Sequence, residues 1–113
     1  MEIRTKDYGI WYDPQQETVY CQGFLRLEGL DAYQPIINVL TEAIDQNNNL
    51  ILDLQELEFL NSSGISMLSM FIVDIRNRGN VHLKVLGSKK VLWQSKSLKN
   101  LQRLMPAIDL EFI

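Results

Sequence analysis

Between Leu50 and Gly64 the chain reads LILDLQELEFLNSSG, and this stretch sets most of what the fold can be. Its first five residues, Leu50-Ile51-Leu52-Asp53-Leu54, are apolar but for one, the pattern of a strand covered on both faces at the centre of a parallel sheet. Its last four, Asn61-Ser62-Ser63-Gly64, are small and mostly polar, and from Ile65 the apolar residues take up helical spacing. A strand therefore leads into a helix whose N-terminus presents hydroxyl groups. Unpaired backbone N–H groups and the positive end of the helix dipole favour an anion at such a place.

The flanking segments fit the same α/β plan. Ile3–Tyr12 and Glu17–Phe24 are rich in β-branched and aromatic residues and enclose Asp13-Pro14-Gln15-Gln16, a turn sequence, which predicts a β-hairpin. Gly23 and Gly29 bracket an extended link, Phe24–Leu27. Asp31 and Gln34 have capping-box spacing with Pro35 in the first turn, and Tyr33, Ile36, Ile37, Leu40 and Ile44 then share one helix face. The helix after Gly64 is apolar nearly all round and is expected to bury Met67, Met70 and Phe71. It closes with Asn77, Arg78 and Gly79, basic charge at the negative end and a glycine for a left-handed cap. Val81–Leu86 reads as a strand that is half exposed or near an edge. A third helical region begins at Gly87-Ser88, with Val91, Leu98, Leu101 and Met105 at core spacing, Ser95 or Ser97 as caps, and Pro106 as its end. Ile108–Ile113 alternates like a last strand. The order is β-β-α-β-α-β-α-β, a mixed, mostly parallel sheet with helices packed on it, within one domain spanning residues 1–113.

Charge is distributed unevenly. The net charge is −3, yet residues 1–74 hold 12 acidic and 3 basic residues, whereas residues 75–113 hold 2 acidic and 8 basic. Mutual compensation between the two segments is the first reading, a local basic patch the second. The acidic balance, with no exposed aromatics interleaved among the basic residues, argues against a nucleic-acid ligand. Cys21 is the single cysteine, which fits a reducing compartment and a small core residue better than a reactive thiol. No run of about 20 apolar residues is present to cross a membrane, so the expected location is the cytoplasm. His82 has no Cys or acidic ligand near it in sequence and reads as a strand-surface residue, and Lys89 and Lys90 read as solvated. No triad, metal cluster or glycine-rich phosphate loop points to an enzyme, and no cofactor is implied.

The strand Leu50–Leu54, the loop Leu57-Glu58-Phe59-Leu60-Asn61-Ser62-Ser63-Gly64, the buried helix after it and the Leu86-Gly87-Ser88 turn resemble the STAS domain family, in particular the anti-sigma factor antagonists. The resemblance covers essentially the whole chain. It implies a non-enzymatic, partner-switching regulator of transcription. The first serine of the pair, Ser62 by motif position and Ser63 as the alternative, would be phosphorylated by a GHKL-type serine kinase. That kinase, an anti-sigma factor or a related regulator, is also the binding partner, with a PP2C-type phosphatase to reverse the modification. Asn61, Ser62, Ser63 and Gly64 would form the partner-binding loop. On spacing alone, Ser62 and Ser63 read as helix caps worth about 1 kcal/mol, and the resemblance reverses that preference. The chain departs from the family pattern at Asn61, where Asp is usual. Asn and Asp rank alike as N-caps, so their exchange is expected to change stability by no more than a few tenths of a kcal/mol. A constitutive binding module that is never phosphorylated is the alternative reading.

Overall fold

The computed structural model describes residues 1–113 and places six strands in one sheet whose order across the sheet is the order along the chain. The elements are β1 (Glu2–Arg4), β2 (Tyr8–Asp13), β3 (Thr18–Leu25), α1 (Gln34–Gln46), β4 (Asn49–Leu60), α2 (Ser62–Arg78), β5 (His82–Gly87), α3 (Gln94–Gln102) and β6 (Asp109–Phe112). The first three strands pair antiparallel, while β3, β4, β5 and β6 run parallel. The expected mixed, mostly parallel α/β sheet is present, with one strand more than the sequence pattern suggested. Ile3–Tyr12 is not continuous. The Thr5 hydroxyl accepts from the N–H groups of Asp7 and Tyr8, both at 3.1 Å, and this side-chain turn folds β1 back onto β2.

Each parallel crossover steps to the adjacent strand in the same direction, and right-handed crossovers then place all the helices on one side of the sheet. α1 packs against β2, β3 and β4, α3 against β5 and β6, and α2 touches both other helices. Ile10, Val19, Cys21, Leu50, Leu52, Leu54, Leu83 and Val85 point into that layer and are buried. Ile51, Asp53 and Gln55 alternate with them onto the opposite, uncovered face. The apolar Leu50–Leu54 run is therefore covered on one face, contrary to the expectation of two. Ile51 pairs in register with Thr18 and Lys84, so its apolar character serves the strand itself rather than a second layer. On that uncovered face Trp11 stacks on Tyr20 with centroids 5.2 Å apart, under the Arg4 guanidinium at 4.3 Å.

Other expectations changed for local reasons. Asp31 opens a 3-10 turn, Asp31–Tyr33, and forms no capping box, because the helix proper starts at Gln34, whose amide bonds Asn38 instead. Residues 88–93 are turns rather than helix, and α3 begins after Trp93 with no serine cap. Its last turn ends at Gln102, ahead of Pro106. Met67 and Phe71 are buried as expected, whereas Met70 is exposed. The charge segments compensate only through Arg78, which bonds Asp45 at 2.7 Å and Asp74 at 3.4 Å. No helix is long and apolar enough to cross a membrane.

Cys21 lies on the covered face of β3. Burial, reinforced by Asp53, pushes its thiol up to about 12. Only the thiolate is nucleophilic, so the folded protein is expected to resist alkylation at pH 7 and to label only on unfolding, as mass spectrometry after a timed iodoacetamide pulse would show. The raised value also sets a sign: the contribution of Cys21 to stability is constant below the ordinary thiol range near pH 8.5 and is lost as pH rises from there towards 12.

Candidate functional site

β4 is 12 residues long and outruns β5, whose pairing with it stops at Asp53. The remaining residues, up to Leu60, follow β3 alone, in register Phe24 to Phe59 and Leu25 to Leu60. Their other edge would leave carbonyls unpaired, and two side chains from the start of α3 meet that need. Gln94 is fully buried; its Nε2 donates to the carbonyls of Leu54 at 2.7 Å and Leu57 at 3.0 Å, while its Oε1 accepts from the N–H of Ser88 at 2.7 Å. Trp93 Nε1 also donates to the Leu57 carbonyl, at 3.2 Å. The strand therefore arrives at Asn61 as a supported rod.

Asn61, not either serine, caps α2. Its Oδ1 accepts from the Gly64 N–H at 2.9 Å and from the Tyr33 hydroxyl at 2.7 Å, and its Nδ2 donates to the Leu27 carbonyl at 2.8 Å. Tyr33 is fully buried, and that burial holds its hydroxyl above the ordinary phenol range. The amide thus uses both its accepting and its donating ends. A carboxylate has no donor for Leu27, so this geometry favours asparagine over aspartate by more than their equal rank as simple helix caps suggests. Gly64 is needed for close approach: a methyl group there would overlap the Leu60 side chain and stand 2.8 Å from the Tyr33 hydroxyl.

The two serines differ in their surroundings. The Ser63 hydroxyl accepts from the Gly29 N–H at 3.3 Å and is half buried. Ser62, the first residue of α2, is exposed and its side chain makes no hydrogen bond within the protein. Four residues named from sequence are therefore brought to one helix N-terminus with distinct tasks: Asn61 caps, Gly64 allows contact, Ser63 tethers and Ser62 faces solvent. Tyr33, Leu27, Gly29 and Gln94 complete the arrangement. Tyr33 was visible only as an apolar helix-face residue, and nothing in the sequence marks Gln94. Near the loop, Phe24 and Phe59 remain about 40% exposed, with the Arg26 guanidinium 5.3 and 5.8 Å from their ring centres.

The family model described as STAS domain matches residues 33–105. Solved structures share the fold over nearly the whole chain. A chain in the crystal structure of the diguanylate cyclase SiaD in complex with its activator SiaC, from Pseudomonas aeruginosa, is similar with a TM-score of 0.73 and 16% identity, covering 100% of this chain and 99% of that one. Apo-SiaC from the same organism gives 0.73 and 16%, covering 99% and 98%. Another structure of SiaC from Pseudomonas aeruginosa gives 0.67 and 20%, covering 99% and 93%. No curated protein matches the chain.

Proposed function

The chain belongs to the STAS domain family, and from that premise we propose that it is a non-enzymatic regulatory module, residues 1–113, that binds protein partners through the loop Asn61–Gly64 and is switched by phosphorylation of Ser62. The observation that carries this reading is the exposed, unbonded hydroxyl of Ser62 between two residues whose side chains are already committed. A phosphate there brings roughly −1.5 to −2 charges to a partner surface. It also meets the positive end of α2, worth about 0.3–1 kcal/mol, so the modification changes the surface without unfolding the domain. The partners that fit are a GHKL-type serine kinase that doubles as anti-sigma factor, and a PP2C-type phosphatase that resets the serine. The complex of a diguanylate cyclase with its activator SiaC supports a further kind of partner, an output enzyme that the module activates.

Ser62→Asp is expected to weaken binding to the kinase or regulator that co-purifies from the host by about tenfold or more, equivalent to 1.4 kcal/mol or above. Its melting temperature should stay within about 3 °C of the parent, since the side chain is exposed. Calorimetric titration and thermal melts measure both, and intact-mass spectrometry of host-purified protein reports the phosphate. Unchanged affinity for Ser62→Asp, with loss in Ser63→Asp, would transfer the switch to Ser63. Absence of phosphate under all growth conditions would leave a constitutive binding module.

A further inference from the structure

Residues 88–108 contain Lys89, Lys90, Lys96, Lys99 and Arg103 and neither aspartate nor glutamate. The ion pairs of the molecule are made by Arg4, Arg78 and Lys84 alone, so none of these five cations has a carboxylate partner. Lys96, Lys99 and Arg103 recur at i, i+3 and i+7 and form one exposed stripe, while Leu98 and Leu101 carry the buried side of α3.

Leu92 stands just before that stripe and is 93% exposed, more than any other large apolar side chain here. A lone exposed leucine is ordinary on a protein surface. This one is held out by an anchored turn: the Lys90 N–H donates to the Ser88 hydroxyl at 3.1 Å, and the next residues, Trp93 and Gln94, grip the carbonyls of β4. An apolar knob with little freedom to fold back, beside cations to which the protein supplies no carboxylate, Lys99 facing only the Phe112 ring at 6.0 Å, is the complement of an acidic surface with an apolar socket. The anchoring carbonyl of Leu57 lies on β4 four residues before Asn61.

We propose that Leu92 with Lys96, Lys99 and Arg103 forms a docking surface for an acidic protein partner, which seats Leu92 in an apolar socket and faces the stripe with carboxylates. The inference rests on the reading of the chain as a protein-binding module, and it is independent of any phosphate at Ser62. The test places a photo-cross-linking residue at position 92 of the full chain in its own host, with exposed position 82, at the far end of β5, as control. The cross-linked protein is then purified and titrated against the parent chain, Leu92→Ser, Lys96→Glu with Lys99→Glu, and Ser62→Asp. Expected are a cross-link to an acidic protein from position 92 and not from 82, affinity that falls as salt is raised, and a loss of about tenfold or more in Leu92→Ser and in the charge reversal. Both sets of substitutions lie on the surface, and unchanged melts would establish that the variants fold. Loss in these variants with none in Ser62→Asp upholds the docking surface and shows that binding of this partner is not switched at Ser62; loss in Ser62→Asp alone upholds the switch and overturns the surface. A cross-link only to a second copy, no protein cross-link, or charge-dependent binding of the parent to phosphatidylcholine–phosphatidylglycerol vesicles without a protein partner each overturns it.

Discussion

Gln94→Ala is expected to cost about 3–5 kcal/mol, a large share of the 5–15 kcal/mol that holds a typical domain together. The amide lies wholly out of contact with water and closes three hydrogen bonds, two to β4 carbonyls and one to the start of the β5–α3 turn. Truncation leaves the Leu54 carbonyl and the Ser88 N–H without partners, at about 1–3 kcal/mol each, and adds a cavity. The Leu57 carbonyl is spared because Trp93 still donates to it. Gln94→Glu fills the space yet cannot donate to Leu54, so it should also lose most of this amount at pH 7. Urea unfolding followed by circular dichroism measures the difference, and a loss below about 1 kcal/mol in Gln94→Ala would show that the edge of β4 finds another partner.

Asn61→Asp is expected to destabilise the protein by about 2 kcal/mol, well beyond the difference between the two residues as simple helix caps. The carboxylate retains the hydrogen bonds from Tyr33 and Gly64 but turns its second oxygen towards the Leu27 carbonyl, where the amide now donates at 2.8 Å. Protonation would restore a donor. The folded protein therefore favours the protonated acid and raises its pKa, so the deficit should be full at neutral pH, begin to shrink above the ordinary carboxylate range as the folded protein takes up the proton, and be largely gone below about 4. Denaturant unfolding of both proteins at pH 7 and pH 4 tests this, and a difference under about 0.5 kcal/mol at pH 7 would mean that Leu27 moves away at little cost. The same variant bears on signalling: if a negative charge at position 61 assists phosphoryl transfer, the rate should rise even as stability falls, so rate and stability need to be measured separately.

Much of this was legible in advance because the informative residues act locally. The Asp13-Pro14 turn, the Arg78-Gly79 helix end and the alternation of β5 depend on neighbours in sequence, and each element lies close to where the pattern puts it. The Asn61–Gly64 loop was likewise visible as small polar residues between two periodicities. What the pattern could not carry was long-range pairing. A strand's apolar run gives no count of the layers covering it, so the pattern of Leu50–Leu54 suggests two covered faces where the sheet has one bare side. Gln94 is an unremarkable polar residue until the chain brings it 40 residues back to the Leu54 carbonyl. The preference for asparagine at position 61 arises from Leu27 and Tyr33, 34 and 28 residues away, which no local rule connects to it.

The coincidence of strand order and chain order bears on how the molecule assembles. Every parallel strand is laid beside the one made just before it, through a single helix, and no later segment has to be threaded between strands already paired. Each closure therefore spans a similar, short length of chain, and the entropic penalty for closing a loop grows only slowly with that length. Synthesis from the N-terminus can deposit the hairpin, then each helix-and-strand unit in turn, on an edge already waiting for it. The last unit to arrive is α3 with β6, and it brings Gln94. Until then the far end of β4 has an open edge, so the loop bearing Ser62 gains its final support only when nearly all of the chain is in place.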